Sequence, residues 1–136
     1  MNSMQKLKII IIRPVIIALL SFIAISCNKI SHNGNLDGMW RIITIENLEN
    51  GDIYTPDQHF YCFNLHTANL TGGNEVPTAN MTYKYPVLYL DFPYESPGNL
   101  VDWGIYSNYV KFDILQLTKS DLVMQSEDVL ITLKKF

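Results

Sequence analysis

The stretch GMWRIITIE at residues 38–46 decides the fold of this chain. Its β-branched and aromatic residues follow one another without a residue that breaks a strand, which is typical of β-structure. Asn50-Gly51 comes shortly afterwards, and this dipeptide suits the positive-φ positions of a tight hairpin turn. Residues 53–55 then predict a short returning strand that Pro56 ends. The folded part of the chain therefore begins as antiparallel β-structure.

The same pattern continues to the C terminus. Alternation is clearest in Ala79–Tyr85, where Met81, Tyr83 and Tyr85 share one face. Turn residues recur at intervals of about 8–12 residues, and no segment shows a helical period. The other predicted strands are His59–Ala68, Val87–Phe92, Tyr109–Leu117, Leu122–Gln125 and Val129–Phe136. The sequence predicts an all-β domain of about seven or eight short strands, arranged as an antiparallel meander closed into a barrel or a sandwich.

A segment of different composition precedes this domain. Lys6, Lys8 and Arg13 lead into the apolar run Val15–Ile25, which stops at Ser26-Cys27. A charged head, an apolar middle and small residues at the end are typical of a secretory signal peptide. The apolar run is shorter than the roughly 20 residues that a membrane-spanning helix needs. An uncleaved membrane anchor is the alternative interpretation.

The end of this segment, Ala24-Ile25-Ser26-Cys27, resembles the lipobox of bacterial lipoproteins. The resemblance implies that Cys27 is lipidated and becomes the first residue, whereas an ordinary thiol is the alternative. It divides the chain into a signal peptide (1–26), a lipid-anchored tether (27–36) and a barrel domain (37–136). The tether lacks the acidic run that sends similar lipoproteins to the cell exterior. We therefore expect an outer-membrane protein that faces the periplasm.

Composition limits the partners of the mature domain. Loss of the three basic residues of the leader changes the formal charge from −3 to −6. An acidic chain of this size is a poor ligand for nucleic acid, whose phosphates require Lys and Arg. Cys62 is the one cysteine that follows Cys27, so the domain folds without an internal disulfide. We interpret Cys62 as a small buried apolar residue rather than a reactive thiol.

The opening of the first strand, Gly38-Met39-Trp40, resembles the Gly-x-Trp of lipocalins. The resemblance implies an up-and-down β-barrel in which Trp40 closes one end beneath a basic side chain of the last strand. We assign that role to Lys134, with Lys135 beside it as the other available cation. Residues 117–124, followed by a strand that ends in Lys-Lys-Phe, resemble the small lipocalin-like lipoproteins of Bacteroidetes.

Aromatic side chains are the main candidates for a binding site. An apolar pocket with phenolic groups would suit a small apolar or amphipathic ligand. The residues assigned to it are Tyr61, Tyr83, Tyr89, Trp103 and Tyr106. Trp103 and Tyr106 follow the loop at residues 93–99, so they are placed at a rim or lid. The alternatives are a small barrel filled by its own side chains and a contact patch for another envelope protein.

Candidate chemistry other than binding is sparse. His59 and His66 are seven residues apart, so on one regular strand they face opposite sides, and a shared metal would need a partner such as Asp57. The sequence carries no nucleophile or metalloprotease motif. We therefore predict no metal, no cofactor and no catalysis. The predicted function is a cell-envelope lipoprotein that binds a small apolar or amphipathic ligand; an accessory or scaffold role in an envelope complex is the alternative.

Overall fold

The computed structural model describes residues 32–136. The predicted signal peptide and the lipidation site Cys27 lie outside the described residues. Nine strands and two 3₁₀ segments make up the described chain. The strands are β1 (Gly38–Asn47), β2 (Ile53–Tyr54), β3 (Phe60–Asn64), β4 (Thr67–Thr71), β5 (Thr78–Lys84), β6 (Val87–Asp91), β7 (Tyr109–Leu117), β8 (Asp121–Gln125) and β9 (Val129–Lys135). The 3₁₀ segments are Gly34–Leu36 and Pro97–Trp103.

Eight of these strands close into an antiparallel barrel. Each strand from β3 to β9 pairs with its neighbour in sequence, and β9 returns to pair with β1. The closing register places Trp40 opposite Lys135 and Ile45 opposite Ile131. The two-residue strand β2 adds to β1 beside β3 and takes no part in the closure. The predicted fold class, an all-β up-and-down barrel, is confirmed.

Alternation along the strands places one side of each strand in the barrel, with register shifts at Ile42/Thr44 in β1 and Ile114/Gln116 in β7. In β6, Leu88 and Leu90 are fully buried, whereas Tyr89 between them points outward and is half-buried. The largest fully buried side chains are Trp40, Tyr61, Phe63, Phe92 and Phe112. Because these rings come from different parts of the circumference, they meet at the centre of one continuous core.

The barrel has two unlike ends. The start of β1, the end of β9 and the β3–β4, β5–β6 and β7–β8 turns lie at one end, which we call the basal end. The apical end carries the β1–β2 loop, residues 72–77, the long connection 92–108 and the β8–β9 turn. An up-and-down meander places these connections alternately at opposite ends.

Three details differ from the sequence-based expectation. Residues 59–68, predicted as one strand, form β3 and β4 around a turn at Leu65 and His66, because Leu65 adopts a left-handed φ of 54°. The aperiodic region after residue 96 contains the 3₁₀ segment Pro97–Trp103. Leu36, at the end of the predicted tether 27–36, is fully buried in the barrel core, and residues 27–31 lie outside the described residues. Among the described residues, no helix has the length and apolarity to cross a bilayer.

Candidate functional site

Trp40 closes the basal end of the barrel. Its indole is fully buried, and Nε1 donates a hydrogen bond of 2.8 Å to the carbonyl oxygen of Leu36. The ammonium of Lys135 lies over the ring, with Nζ 4.5 Å from the ring centroid. Nζ also donates hydrogen bonds to the carbonyl oxygens of Asn35 and Asp37. Desolvation against this end lowers the pKa of Lys135, while the charge of Asp37 acts in the opposite direction. The closure therefore combines a cation–π contact with hydrogen bonds from the same ammonium group to the backbone at the first 3₁₀ segment.

Gly38 permits this closure. Its φ of +128° is one that side chains rarely adopt, and an added Cβ would lie 2.6 Å from Nζ of Lys135. Any larger residue would displace the lysine from the indole. The geometry gives a physical reason for the Gly-x-Trp spacing, since the glycine leaves room for the cation that covers the tryptophan.

The assignment of the basic side chain to Lys134 is wrong. Lys134 lies on the outer face of β9, where its Nζ is 2.7 Å from Oδ1 of Asp121. The hydrogen bond from Lys134, with a second from Ser120, lowers the pKa of Asp121. Leu133 points inward, so the period of two along the strand places Lys135 on the side of Trp40 and Lys134 opposite.

Trp103 closes the apical end from the 3₁₀ segment Pro97–Trp103. Leu100 and Trp103 of this segment are buried, as is Ile105 just after it. Nε1 of Trp103 donates to the carbonyl oxygen of Thr71 at 3.0 Å. The hydroxyl of Tyr61 donates to the carbonyl oxygen of Trp103 at 2.5 Å. These contacts place the segment Pro97–Trp103 over the apical end of the core, and we call this segment the lid.

The five residues assigned to a ligand pocket do not converge on one site. Tyr61 is fully buried between Phe63 and Phe112, and its burial raises its pKa well above the ordinary value. Tyr89 lies on the outer wall, where its ring stacks on Tyr109 at 5.9 Å.

The other three assigned residues lie apart from one another. Tyr83 packs at the edge of the core, and burial raises its pKa. Tyr106 is exposed at the apical rim, whereas Trp103 is in the lid. Only Tyr61 and Trp103 are joined by a contact, and they fill the barrel rather than line a cavity.

Three clefts of the described surface lie among the apical loops. One of about 540 Å³ lies between the start of β7 and the β8–β9 turn, and includes Tyr109, Lys111 and Asp128. A second of about 420 Å³ includes Tyr106 and Leu48. A third of about 340 Å³ lies beside Trp103. Each contains at least one carboxylate, so these clefts are polar at their walls rather than apolar ligand cavities.

The apical rim also carries an aromatic contact that the sequence did not single out as a site. The hydroxyl of Tyr54 donates a hydrogen bond of 3.4 Å to the carbonyl oxygen of Val101. Burial raises the pKa of Tyr54, and the nearby Tyr106 and Asp102 raise it further. The side chains of Tyr54, Val101 and Tyr106 are each about 40% exposed. They form a small apolar patch next to the lid.

The histidines lie at opposite ends of the barrel. His59 accompanies the lid: its ring contacts Trp103 at 5.1 Å, and its Nε2 is 4.0 Å from Asp102. Its Nδ1 is 2.7 Å from the backbone oxygen of Asp57, not from the carboxylate. His66 lies in the basal β3–β4 turn against His32. Across residues 32–136 no group of three or more His, Cys, Asp or Glu side chains has the geometry of a metal site.

Cys62 lies on the outer side of β3 and is half-buried. Burial raises the pKa of its thiol, and the neighbouring side chain of Thr71 opposes that effect. A raised pKa keeps the sulfur protonated at neutral pH, which makes it a weak nucleophile.

Sequence comparison identifies the family. The model of the lipocalin-like domain family matches residues 18–136. The chain belongs to this family. The lipocalin-like barrel described above, with Trp40 at its basal end, accounts for most of the matched residues. No curated protein matches the sequence.

Two solved structures resemble this lipocalin-like barrel. One is a lipocalin-like protein from Bacteroides uniformis, with 18% identity and a TM-score of 0.63 over 76% of this chain and 100% of that chain. The other is an uncharacterized protein from Bacteroides eggerthii, with 17% identity and a TM-score of 0.61 over 74% of this chain and 98% of that chain. At these identities the likeness establishes a shared fold.

Proposed function

We propose that this lipocalin-like protein is a non-catalytic binding protein of the bacterial cell envelope, anchored by lipid groups on Cys27. The charged, apolar and small-residue sections of the leader support the anchor. The family match begins at residue 18, so it includes the end of the apolar run and Cys27. The expected location is the outer membrane, facing the periplasm.

The filled interior supports binding at the outer surface rather than inside the barrel. Between Trp40 and Trp103 the described barrel contains buried side chains from every strand of the closed sheet. A ligand cannot enter without displacing some of them, because protein interiors are packed close to crystal density. The outer surface is therefore the preferred binding surface, and we propose an accessory role through contact with another envelope protein. The apical rim, with Tyr54, Val101 and Tyr106, is the best apolar starting point for such a contact.

Binding of a small apolar or amphipathic ligand is the second candidate, and one observation favours it. The lid is a short 3₁₀ segment, and its opening would expose the ring of Tyr61 beneath it and the ring of Trp103 that it carries, which were both assigned to the ligand. Opening of the lid would convert the apical half of the core into an aromatic pocket. This mechanism is compatible with a ligand of modest size.

Native mass spectrometry distinguishes the two candidates. Residues 28–136 are expressed, purified and weighed before and after solvent extraction. A surface-binding protein gives the mass of the bare chain in both spectra. An additional mass that extraction removes, together with a shift in the fluorescence of Trp103, would establish the small ligand and overturn the surface proposal.

The anchor has its own test. The intact protein from its host is weighed after growth with and without globomycin, which blocks the lipoprotein signal peptidase. We expect diacylated or triacylated Cys27 without the drug and accumulated precursor with it. A protein that keeps Met1, or one processed normally in the presence of globomycin, would contradict lipidation at Cys27.

A further inference from the structure

The basal end carries large apolar side chains in solvent. Leu65 and Tyr85 occupy the tips of the β3–β4 and β5–β6 turns and are 53% and 61% exposed. Phe136, just after β9, is more exposed still. Leu65 has a φ of 54°, in the left-handed region where asparagine and glycine are preferred. The turn thus keeps a leucine in solvent in a conformation that disfavours leucine, which points to a use for that side chain.

Charge is distributed unequally between the two ends. The basal end holds four lysines: Lys84, Lys119, Lys134 and Lys135. Only two of the 13 acidic residues of the chain, Asp37 and Asp121, lie there. Lys134 neutralises Asp121 at 2.7 Å. Nearly all the other carboxylates lie in the apical loops and at the apical ends of strands. A protein with a negative net charge therefore presents a positive basal end.

The N-terminal segment leads to the same end. The ring of His32 lies 5.1 Å from the ring of His66, next to Leu65. Nδ2 of Asn33 donates a hydrogen bond of 2.8 Å to the carbonyl oxygen of Leu65. Cys27 precedes His32 by five residues, which span at most about 18 Å when fully extended. Lipid groups on Cys27 would hold the basal end within that distance of the bilayer surface.

We propose that the basal end is a membrane-contact surface for anionic phospholipid headgroups. The inference rests on the proposed lipid anchor at Cys27. Leu65 and Tyr85 enter the interfacial layer, where apolar and tyrosine side chains are favoured. Lys84 and Lys119, in or beside the adjoining turns, lie against the phosphates. The acidic apical end then points away from the membrane, which leaves the lid and the rim of Tyr54 and Tyr106 free for a partner.

Site-directed fluorescence on the anchored protein tests this orientation. The lipidated protein is purified from its host in a Cys62→Ser background and reconstituted into vesicles of phosphatidylcholine and phosphatidylglycerol. One variant carries Leu65→Cys and the matched control carries Val76→Cys, which is 56% exposed at the apical end. Each is labelled with a polarity-sensitive dye. Lipids with a nitroxide at the headgroup should quench the label at position 65 and leave the one at position 76 unchanged. Equal quenching at both positions, or none at 65, would overturn the proposal.

Removal of charge tests the phosphate contact. In the Leu65→Cys reporter, Lys84→Gln and Lys119→Gln should each lower the equilibrium constant for membrane contact roughly fivefold, because one lysine near an anionic surface has about that effect. Lys111→Gln, near the apical end, is the control and should leave quenching unchanged. High salt should weaken the contact of the parent protein in the same way. Quenching that is independent of both lysines and of salt would contradict headgroup recognition.

Failure of the anchor and failure of the orientation give different results. If the protein from its host carries no acyl groups, the proposed anchor is wrong. The unlipidated protein is then floated with phosphatidylglycerol vesicles, and its absence from the floated fraction would overturn the membrane-contact proposal as well. If the protein is acylated and floats, but the label at Leu65 stays unquenched, the anchor stands and the contact surface is wrong.

Discussion

The variant Tyr61→Phe isolates the hydrogen bond that holds the apical lid. The substitution removes only Oη and leaves the ring in contact with Phe63 and Phe112. The carbonyl oxygen of Trp103 then loses its donor in a region where both residues are buried. An unsatisfied buried polar group costs about 1–3 kcal/mol. We expect the free energy of unfolding to fall by this amount. For a domain of this size, that lowers the midpoint of thermal unfolding by about 5–20 °C.

Denaturation by urea, followed by tryptophan fluorescence, measures this loss. Tyr83→Phe is the matched control, because Tyr83 lies half-buried at the edge of the same core and its variant should change stability by less than about 0.5 kcal/mol. Hydrogen exchange locates the effect: the amides of Gly104 and Ile105, which bond to the lid segment, should exchange faster in Tyr61→Phe alone. Equal stability of the two variants, with unchanged exchange at Gly104, would refute the lid argument.

Three further predictions concern the closures of the barrel. Lys135→Ala should lower stability by about 1 kcal/mol, because a cation–π contact is lost. Lys134→Ala is the control and should be nearly neutral, because Lys134 forms only a surface ion pair. Equal effects of the two variants in chemical denaturation would count against the role of Lys135 in the closure. Gly38→Ala should lower the free energy of unfolding by about 1–3 kcal/mol through backbone strain. Gly98→Ala is the control, because its Cβ would lie in open space. Similar melting temperatures for the two variants would contradict the role of the positive φ at Gly38. The raised pKa of Tyr61 means that the folded state keeps a proton which the unfolded chain loses near pH 10. Stability should therefore be intact below about pH 10 and fall as the pH rises above it, less steeply in Tyr61→Phe, as alkaline denaturation curves will test.

Alternation and turn chemistry predicted an antiparallel meander closed into a barrel or a sandwich. The Gly-x-Trp resemblance selected the barrel, and the alternation held further information about its sites. Val129, Ile131 and Leu133 alternate along the last strand and share its inner face, and continuing that period assigns Lys135, not Lys134, to the closure. In the same way, Leu88 and Leu90 on one face place Tyr89 outside. Both errors came from choosing residues by type before following the period along the strand.

Other features could not be deduced from local pattern. The two faces of residues 59–66 are both apolar, so the sequence does not decide that Tyr61 and Phe63 point inward. The turn at Leu65 has no glycine or asparagine at the left-handed position, which hid the boundary between β3 and β4. The lid is aperiodic, and Trp103 is fixed by partners distant in sequence, Tyr61 and Thr71. Tertiary contacts, rather than propensity, determine those positions.

The cost of opening the lid bears on the choice between the two candidate functions. Lifting the segment would expose Leu100, Trp103 and Ile105. Exposure of a buried side chain of this kind costs about 2 kcal/mol, so the three together cost about 6 kcal/mol before the three hydrogen bonds that join the lid to the barrel are counted. A penalty of about 5.5 kcal/mol reduces apparent affinity roughly ten-thousandfold, since only the open fraction binds. A ligand with micromolar apparent affinity would then need subnanomolar affinity for the open barrel. A partner that binds the closed apical rim carries no such penalty, and for this reason the filled core favours surface recognition.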